Sequence, residues 1–241
     1  MRTFWQRLAV VTCFTVSSGL ALAQAPGQAS GQAPQGAARQ APAPVPRPGL
    51  FFEETWKQAG KPGELPISQA YVANPALELK QYGPKHEQLA ITGVAVGESG
   101  YDANPMHTWS GLCGAGCTFA FRHKDSYADL TGAARVMVQS KTSGFHKIHP
   151  FIKLANGSTY VGDIELGQTN DYLFEEFAIK PVRWIAFNTE LGVTKGNIVE
   201  TIDLSKVDEI GFTDLQPGAD HGPGGWSDVG VVRVYAKAVP R

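Results

Sequence analysis

The chain has 241 residues, of which 43% are hydrophobic and only 18% charged, with 27 Gly and 16 Pro. That composition excludes a coiled coil and a highly charged disordered chain, and it implies many turns. Net charge is −1, yet all 22 acids follow position 50, so the segment from Leu50 onward holds 17 basic residues and a net −5. This balance argues against nucleic acid as a partner.

Residues 1–23 read as an export signal. Arg2 and Arg7 form a positive start, Leu8 to Leu20 is apolar but too short and broken for a membrane span, and Ala21-Leu22-Ala23 offers a small-x-small cleavage site. The expected location is therefore secreted or periplasmic, with Gln24 as the mature N-terminus and Cys13 discarded. Residues 24–49 are almost entirely Ala, Gln, Pro and Gly, a composition that packs no core and behaves as a disordered linker or tether. The expected folded unit is a single domain over 50–241, long enough for one substantial core.

Strand signals dominate that unit. Thr118 to Lys124 places Phe119, Phe121 and His123 on one side. Ala134 to Gln139 sets Val136 and Val138 against Arg135, Met137 and Gln139. His146 to Leu154 sets Ile148, Ile152 and Leu154 against Lys147, His149 and Lys153. Such period-two patterning marks half-buried strands. Pro150 within the third run predicts an edge or a bulge. Asn156-Gly157 leads into Thr159 to Val161, the strongest short hairpin signal. Further strands are expected at Leu173 to Ile179, Val182 to Asn188, Glu209 to Leu215 and Val229 to Ala238, with Ile198 to Ile210 as a turn. Short strands with turn residues between them and no alternating helices predict an all-β antiparallel sandwich.

From Asp129 to the C-terminus the chain resembles the galactose-binding-like jelly rolls of carbohydrate-binding modules and related domains. The pieces that carry the resemblance are ADLTGAARVMVQSK, the FIKLANGSTYVGD hairpin, PVRWIAFNTELGV, DLSKVDEIGFTDLQPG and the closing VGVVRVYAK. Residues 50–101 resemble the front of a set of secreted bacterial proteins. The resemblance implies a jelly roll, an oligosaccharide or polysaccharide ligand and, as its one cofactor, a structural calcium. Glu53, Glu54 and Asp228 are the oxygen donors at the first and last strands where such an ion would sit.

No nucleophile elbow, zinc-protease helix, phosphate loop or haem motif is present. Cys113 and Cys117 form an even pair in a Gly-rich turn, which in an oxidising compartment predicts a disulfide. The flanking His107, His123 and Met106 offer a soft-ligand copper or zinc site as the alternative. If Val136, Val138, Ile148 and Ile152 point inward, a single opposite face carries Arg135, Gln139, Lys141, His149 and Lys153, with Arg122 joining from the neighbouring run. Sugars are held by aromatic platforms and planar polar groups, which adds Trp109, Tyr160, Trp184 and Trp226, although core packing suits Trp184 better. A basic face would favour a carboxylate-bearing or sulfated glycan. The leading expectation is a non-catalytic carbohydrate-binding sandwich. A glycan hydrolase or lyase with His149 or His146 as base and Tyr160 as proton donor is the second, and a protein-docking domain of the envelope is the third.

Overall fold

The computed structural model describes residues 46–58, 65–95, 97, 104–167 and 169–241. The expected export segment and most of the expected tether therefore lie outside the described residues. Among the described residues sixteen strands, numbered in chain order, form two sheets in which every ladder is antiparallel. The front sheet holds β1 (Leu50–Glu54), β2 (Leu65–Pro66), β4 (Ala90–Thr92), β5 (His107–Trp109), β8 (Arg135–Thr142), β11 (Leu173–Ala178) and β15 (Ser227–Tyr235). The back sheet holds β3 (Leu77–Tyr82), β6 (Cys117–His123), β7 (Ser126–Asp129), β9 (Ile148–Leu154), β10 (Thr159–Gly162), β12 (Trp184–Asn188), β13 (Val193–Val199), β14 (Val207–Asp214) and β16 (Lys237–Pro240). The chain crosses between sheets at β2–β3, β3–β4, β5–β6, β7–β8, β8–β9, β10–β11, β11–β12, β14–β15 and β15–β16, the winding of a jelly roll. Among the described residues no helix is long and apolar enough to cross a membrane.

Side-chain alternation explains the core. Val136, Val138, Ile148, Ile152, Phe119 and Phe121 all point between the sheets and belong to one buried cluster. A second cluster of Ala120, Phe151, Val161 and Phe187 occupies the other face of the back sheet, capped by Tyr82 and Leu215. The Asn156-Gly157 hairpin forms as expected, with Gly157 at φ 86° and its N–H donating to the Leu154 carbonyl at 2.9 Å.

Four expectations are corrected. First, β8 and β9 lie in opposite sheets, so Arg135, Gln139 and Lys141 do not share a face with His149 and Lys153; the two runs alternate alike, and only crossover geometry separates them. Second, Pro150 sits in a strand flanked by β10 and β14, pairing with Phe212 on the β14 side. The β10 ladder stops at Val161–Phe151, so the missing N–H of Pro150 falls just beyond its end and no ladder bond is lost. Third, the long C-terminal run breaks at Ala236 into β15 and β16, which belong to different sheets. Fourth, Ile198 lies within β13 and Ile210 within β14, leaving only 200–206 as the turn. β11 and β13 stand at the outer ends of the two strand orders, and β13 carries a register shift against β12 between Ile185 and Ala186.

Glu54 is fully buried and is held by backbone donors: Trp56 N–H and Ala73 N–H reach Oε1 at 2.7 Å, and Asn74 N–H reaches Oε2 at 3.0 Å. Glu54→Ala leaves all three without an acceptor and should lower unfolding free energy by about 3 kcal/mol, read as a shift of the urea midpoint. Glu54→Gln, which keeps an acceptor oxygen, should lose less. Replacing both Cys113 and Cys117 by Ala should cost about 2 kcal/mol, the chain-entropy figure for so short a loop, measured in the same titration.

Candidate functional site

On the outer face of the front sheet, β8, β15, β5 and β4 lie side by side. Asp228 pairs in register with both Trp109 and Lys141, and Thr92 pairs with His107. Directly paired residues share a face, as do residues two apart, so all five side chains point outward together. With Asn104, His221 and Trp226 they line a depression of about 280 Å³.

Its floor is a buried polar cluster centred on Asp228. The Tyr172 hydroxyl donates to Asp228 Oδ2 at 2.9 Å, Lys141 Nζ stands 3.5 Å from the same oxygen and His107 Nε2 stands 3.8 Å away. Lys141 Nζ also lies 4.4 Å above the Tyr172 ring, a cation–π contact. Asp228 Oδ1, in contrast, is buried and has no hydrogen-bond partner among the described residues. His107 Nδ1 is 2.6 Å from the Pro105 carbonyl, which can only accept, so this nitrogen carries a proton and Nε2 is the nitrogen that faces Asp228. Burial pushes His107 below its ordinary value, outweighing the attraction of Asp228. Burial likewise raises Asp228, against the opposing pull of His107 and Lys141, and burial and Asp228 together raise Tyr172.

The walls are aromatic. Trp109 is only 3% exposed because the His221 imidazole stacks on it, 4.8 Å between ring centres at 20°. Trp226 meets the same imidazole edge-on at 6.0 Å. Gly111 is required here, since a Cβ at that position would fall 2.1 Å from the Trp109 ring. The loop bearing His221 is pinned from below: Gly218 N–H donates to the Cys113 carbonyl at 2.7 Å and Asp220 N–H to Gly111 at 2.8 Å. Cys113 is in turn bonded to Cys117. Asp220 takes a left-handed conformation, φ 53°, one of the few side chains that tolerate it. The disulfide consumes both thiols, so the soft-metal alternative falls.

The residues singled out from sequence are dispersed. Lys141, Trp109 and Trp226 meet in the depression. Arg135 and Gln139 continue its face along β8, where Arg135 lies 4.0 Å over the Tyr235 ring and 3.2 Å from Glu176. Arg122, His149 and Lys153 lie on the outer face of the back sheet. There Arg122 pairs with Glu78 and Asp208, Lys153 with Glu209 and the Tyr82 hydroxyl, and His149 Nδ1 lies 3.3 Å from the Gly162 carbonyl. Tyr160 and Trp184 pack on the core. Glu53 pairs with Arg233, Glu54 holds the backbone as described, and Asp228 belongs to the depression. Three separate sets of partners thus engage the three carboxylates considered for calcium.

Tyr172, His221 and Asn104 carry no sequence expectation, and His107 carries one only as a soft-metal ligand. The alternation in His107-Thr108-Trp109 and the Gly-rich loop around Trp226 were the signals within reach; the pairing of Lys141 with Asp228 depends on strand register, which no local pattern reveals. Elsewhere His146 Nδ1, Ser110 Oγ and Ser227 Oγ all converge on Asp214 Oδ2, at 2.6, 2.8 and 2.6 Å. These are the residue types of a hydrolase triad, but each contacts the carboxylate and no serine hydroxyl bonds the imidazole, so the cluster relays no proton to a nucleophile.

Because burial lowers the proton affinity of His107, the unfolded chain takes up a proton there as pH falls through 6.5 more readily than the folded chain does. Its contribution to stability is present above that pH and is lost as pH falls, by up to about 1.4 kcal/mol per pH unit. His107→Gln should flatten the fall in unfolding free energy between pH 6.5 and 5 relative to the unmodified protein, as measured by urea titration at each pH.

No protein-family model matches the chain, and no curated protein matches it. Among solved structures it is similar to the family 11 carbohydrate-binding module of a cellulosomal cellulase from Clostridium thermocellum, with 13% identity and a TM-score of 0.43 over 74% of this chain and 97% of that one. It is similar to the Clostridium thermocellum family 11 module in complex with a β-1,3-1,4-mixed-linked tetrasaccharide, with 13% identity and a TM-score of 0.41 over 77% and 96% of the two chains. It is also similar to part of an exo-β-agarase, at 8% identity and a TM-score of 0.38, covering 70% of this chain but 24% of the enzyme.

Proposed function

We propose that the protein is an exported glycan-binding module and that the depression around Asp228 is its binding site. The observation that carries this reading is Asp228 Oδ1, buried in the depression and unmatched. A buried polar oxygen without a partner costs about 1–3 kcal/mol, a cost that a ligand hydroxyl would relieve. A hydroxyl suits this carboxyl in either protonation state, because it both donates and accepts. Indole and imidazole walls at Trp226 and His221 suit the apolar face of a sugar ring, while Asn104, Thr92 and Lys141 offer further polar groups. Residues 1–23 support export, and 24–49 support a tether ahead of a folding unit at 50–241.

A second reading, a glycan-active enzyme, draws on one observation. His107 and Asp228 stand together in the depression with proton affinities moved in opposite directions by burial, as acid–base sites often are. The His149–Tyr160 pairing does not support it, because those residues point to opposite sides of the back sheet.

One experiment separates the readings. The purified protein is run by affinity electrophoresis against neutral and acidic polysaccharides while reducing ends and unsaturated uronates are assayed. Retention without product is expected, with Trp226→Ala and Asp228→Asn each weakening retention about tenfold or more. Product release abolished by His107→Gln would overturn the binding-module reading in favour of the enzyme, and no retention by any polysaccharide would overturn both. The mature protein should begin at Gln24 when its mass is measured after export from cells.

A further inference from the structure

Trp184 belongs to the buried core, yet its indole Nε1 is buried without a hydrogen-bond partner among the described residues. Trp56, in the same cluster, donates its indole N–H to the Gly230 carbonyl at 3.0 Å. A folded chain rarely leaves such a donor unmatched. The Trp184 side chain also lines a depression of about 520 Å³ that shares no residue with the one around Asp228. That volume lies within the ordinary range of small-molecule sites.

Three pieces of chain build its walls. Gly162, Trp184 and Val199 stand in one row across β10, β12 and β13, so the Trp184 and Val199 side chains share a face. Gly162 leaves its place in the row to Val182, because a Cβ there would fall 2.7 Å from the Val182 Cγ1. Val182 enters from the connection between β11 and β12, its N–H donating to the Ile179 carbonyl at 3.0 Å. The 200–206 turn closes the third side with Ile202 and Leu204, and the Leu204 carbonyl accepts the Leu130 N–H at 2.9 Å. At the rim Ile198 is 40% exposed, and Arg183 is fixed by Asp163, which accepts its backbone N–H at 2.9 Å and its Nε–H at 2.6 Å.

We propose that this depression binds a small, uncharged, apolar molecule carrying one carbonyl oxygen, such as an ester, ketone or amide, which accepts the Trp184 N–H. The site is separate from the glycan-binding reading and does not rest on it. A sugar would bring several hydroxyls, and the side chains of Val182, Val199, Ile202 and Leu204 offer them no partner. A carboxylate would exchange its water shell for one neutral donor, which is unfavourable in an apolar site. The rim does not offset that cost, since Lys180 and Glu200 there have opposite signs and Arg183 is already engaged by Asp163.

The test uses the full chain with nitrogen-15-labelled tryptophan and three probes: methyl 3-phenylpropanoate, the hydrocarbon pentylbenzene of similar shape, and the 3-phenylpropanoate anion. The ester should move the Trp184 indole resonance downfield, and pentylbenzene should not. Trp184→Phe, which keeps a ring and removes the donor, should weaken the ester about tenfold and leave pentylbenzene within about threefold. The anion should bind at least about tenfold more weakly than the ester. Polysaccharide retention should be the same with the ester present as without it. Should Trp184→Phe fail to fold, the unmodified protein still decides, because the Trp184 resonance is assigned by its contact with the Val199 methyl groups. No ester binding, an unmoved Trp184 resonance at saturation, or movement confined to Trp109 or Trp226 would overturn the site. Equal weakening of ester and pentylbenzene by Trp184→Phe would overturn the role of the indole N–H, and an anion bound as tightly as the ester would overturn the neutral assignment. Loss of polysaccharide retention on adding ester would overturn the separateness of the two sites.

Discussion

A single carboxylate oxygen fastens the two sheets beside the depression around Asp228. Asp214 Oδ2, at the close of β14 in the back sheet, collects Ser227 from the start of β15, Ser110 just after β5 and His146 just before β9. Its other oxygen accepts the Gln216 N–H at 3.1 Å. Trp226 and Asp228 flank Ser227 in sequence, and Trp109 precedes Ser110. The groups argued to touch a ligand are therefore neighbours of the groups that touch Asp214. Buried polar networks of this kind hold position because every member would be left unsatisfied by a shift.

The contrast between Asp214 and Asp228 is instructive. Both are buried carboxylates near the same end of the sandwich, and both have one oxygen contacted by several polar groups. Asp214 has its second oxygen occupied as well, whereas Asp228 does not. A folded chain satisfies nearly all its buried polar atoms internally, so the exception in the wall of an open depression has chemical meaning. Gln139 Oε1 is similarly unmatched on the same sheet face, but it pairs with Phe174 across the ladder and lines neither depression.

Much of the fold was legible because period-two alternation is a local property. The core positions Val136, Val138, Ile148 and Ile152, the Asn156-Gly157 turn and the Cys113–Cys117 bond each follow from a few adjacent residues. Three-residue strands such as β4 are too short to show a period, and β13 is exposed along nearly its whole length, so neither announced itself. The site was less legible. Lys141, Trp109 and Trp226 were within reach as residue types, yet grouping them with Asp228 and His107 required the register of β15 against two strands distant in sequence. The supposed common face of β8 and β9 failed for the same reason: alternation tells which residues share a side of a strand but not which sheet the strand joins.

The outer strands also bear on how copies of the molecule coexist. A regular exposed strand invites another chain to add alongside it, and β13 is almost wholly exposed at the end of its sheet. The register shift beside Ala186 bends that border, Gly196 turns to φ 72° within it, and Lys195 places a charge there. At one border of the front sheet, β11 carries Glu175 and Glu176 in succession. Neither margin offers the flat, uncharged template that sheet extension needs, so these two borders resist joining copies of the molecule edge to edge.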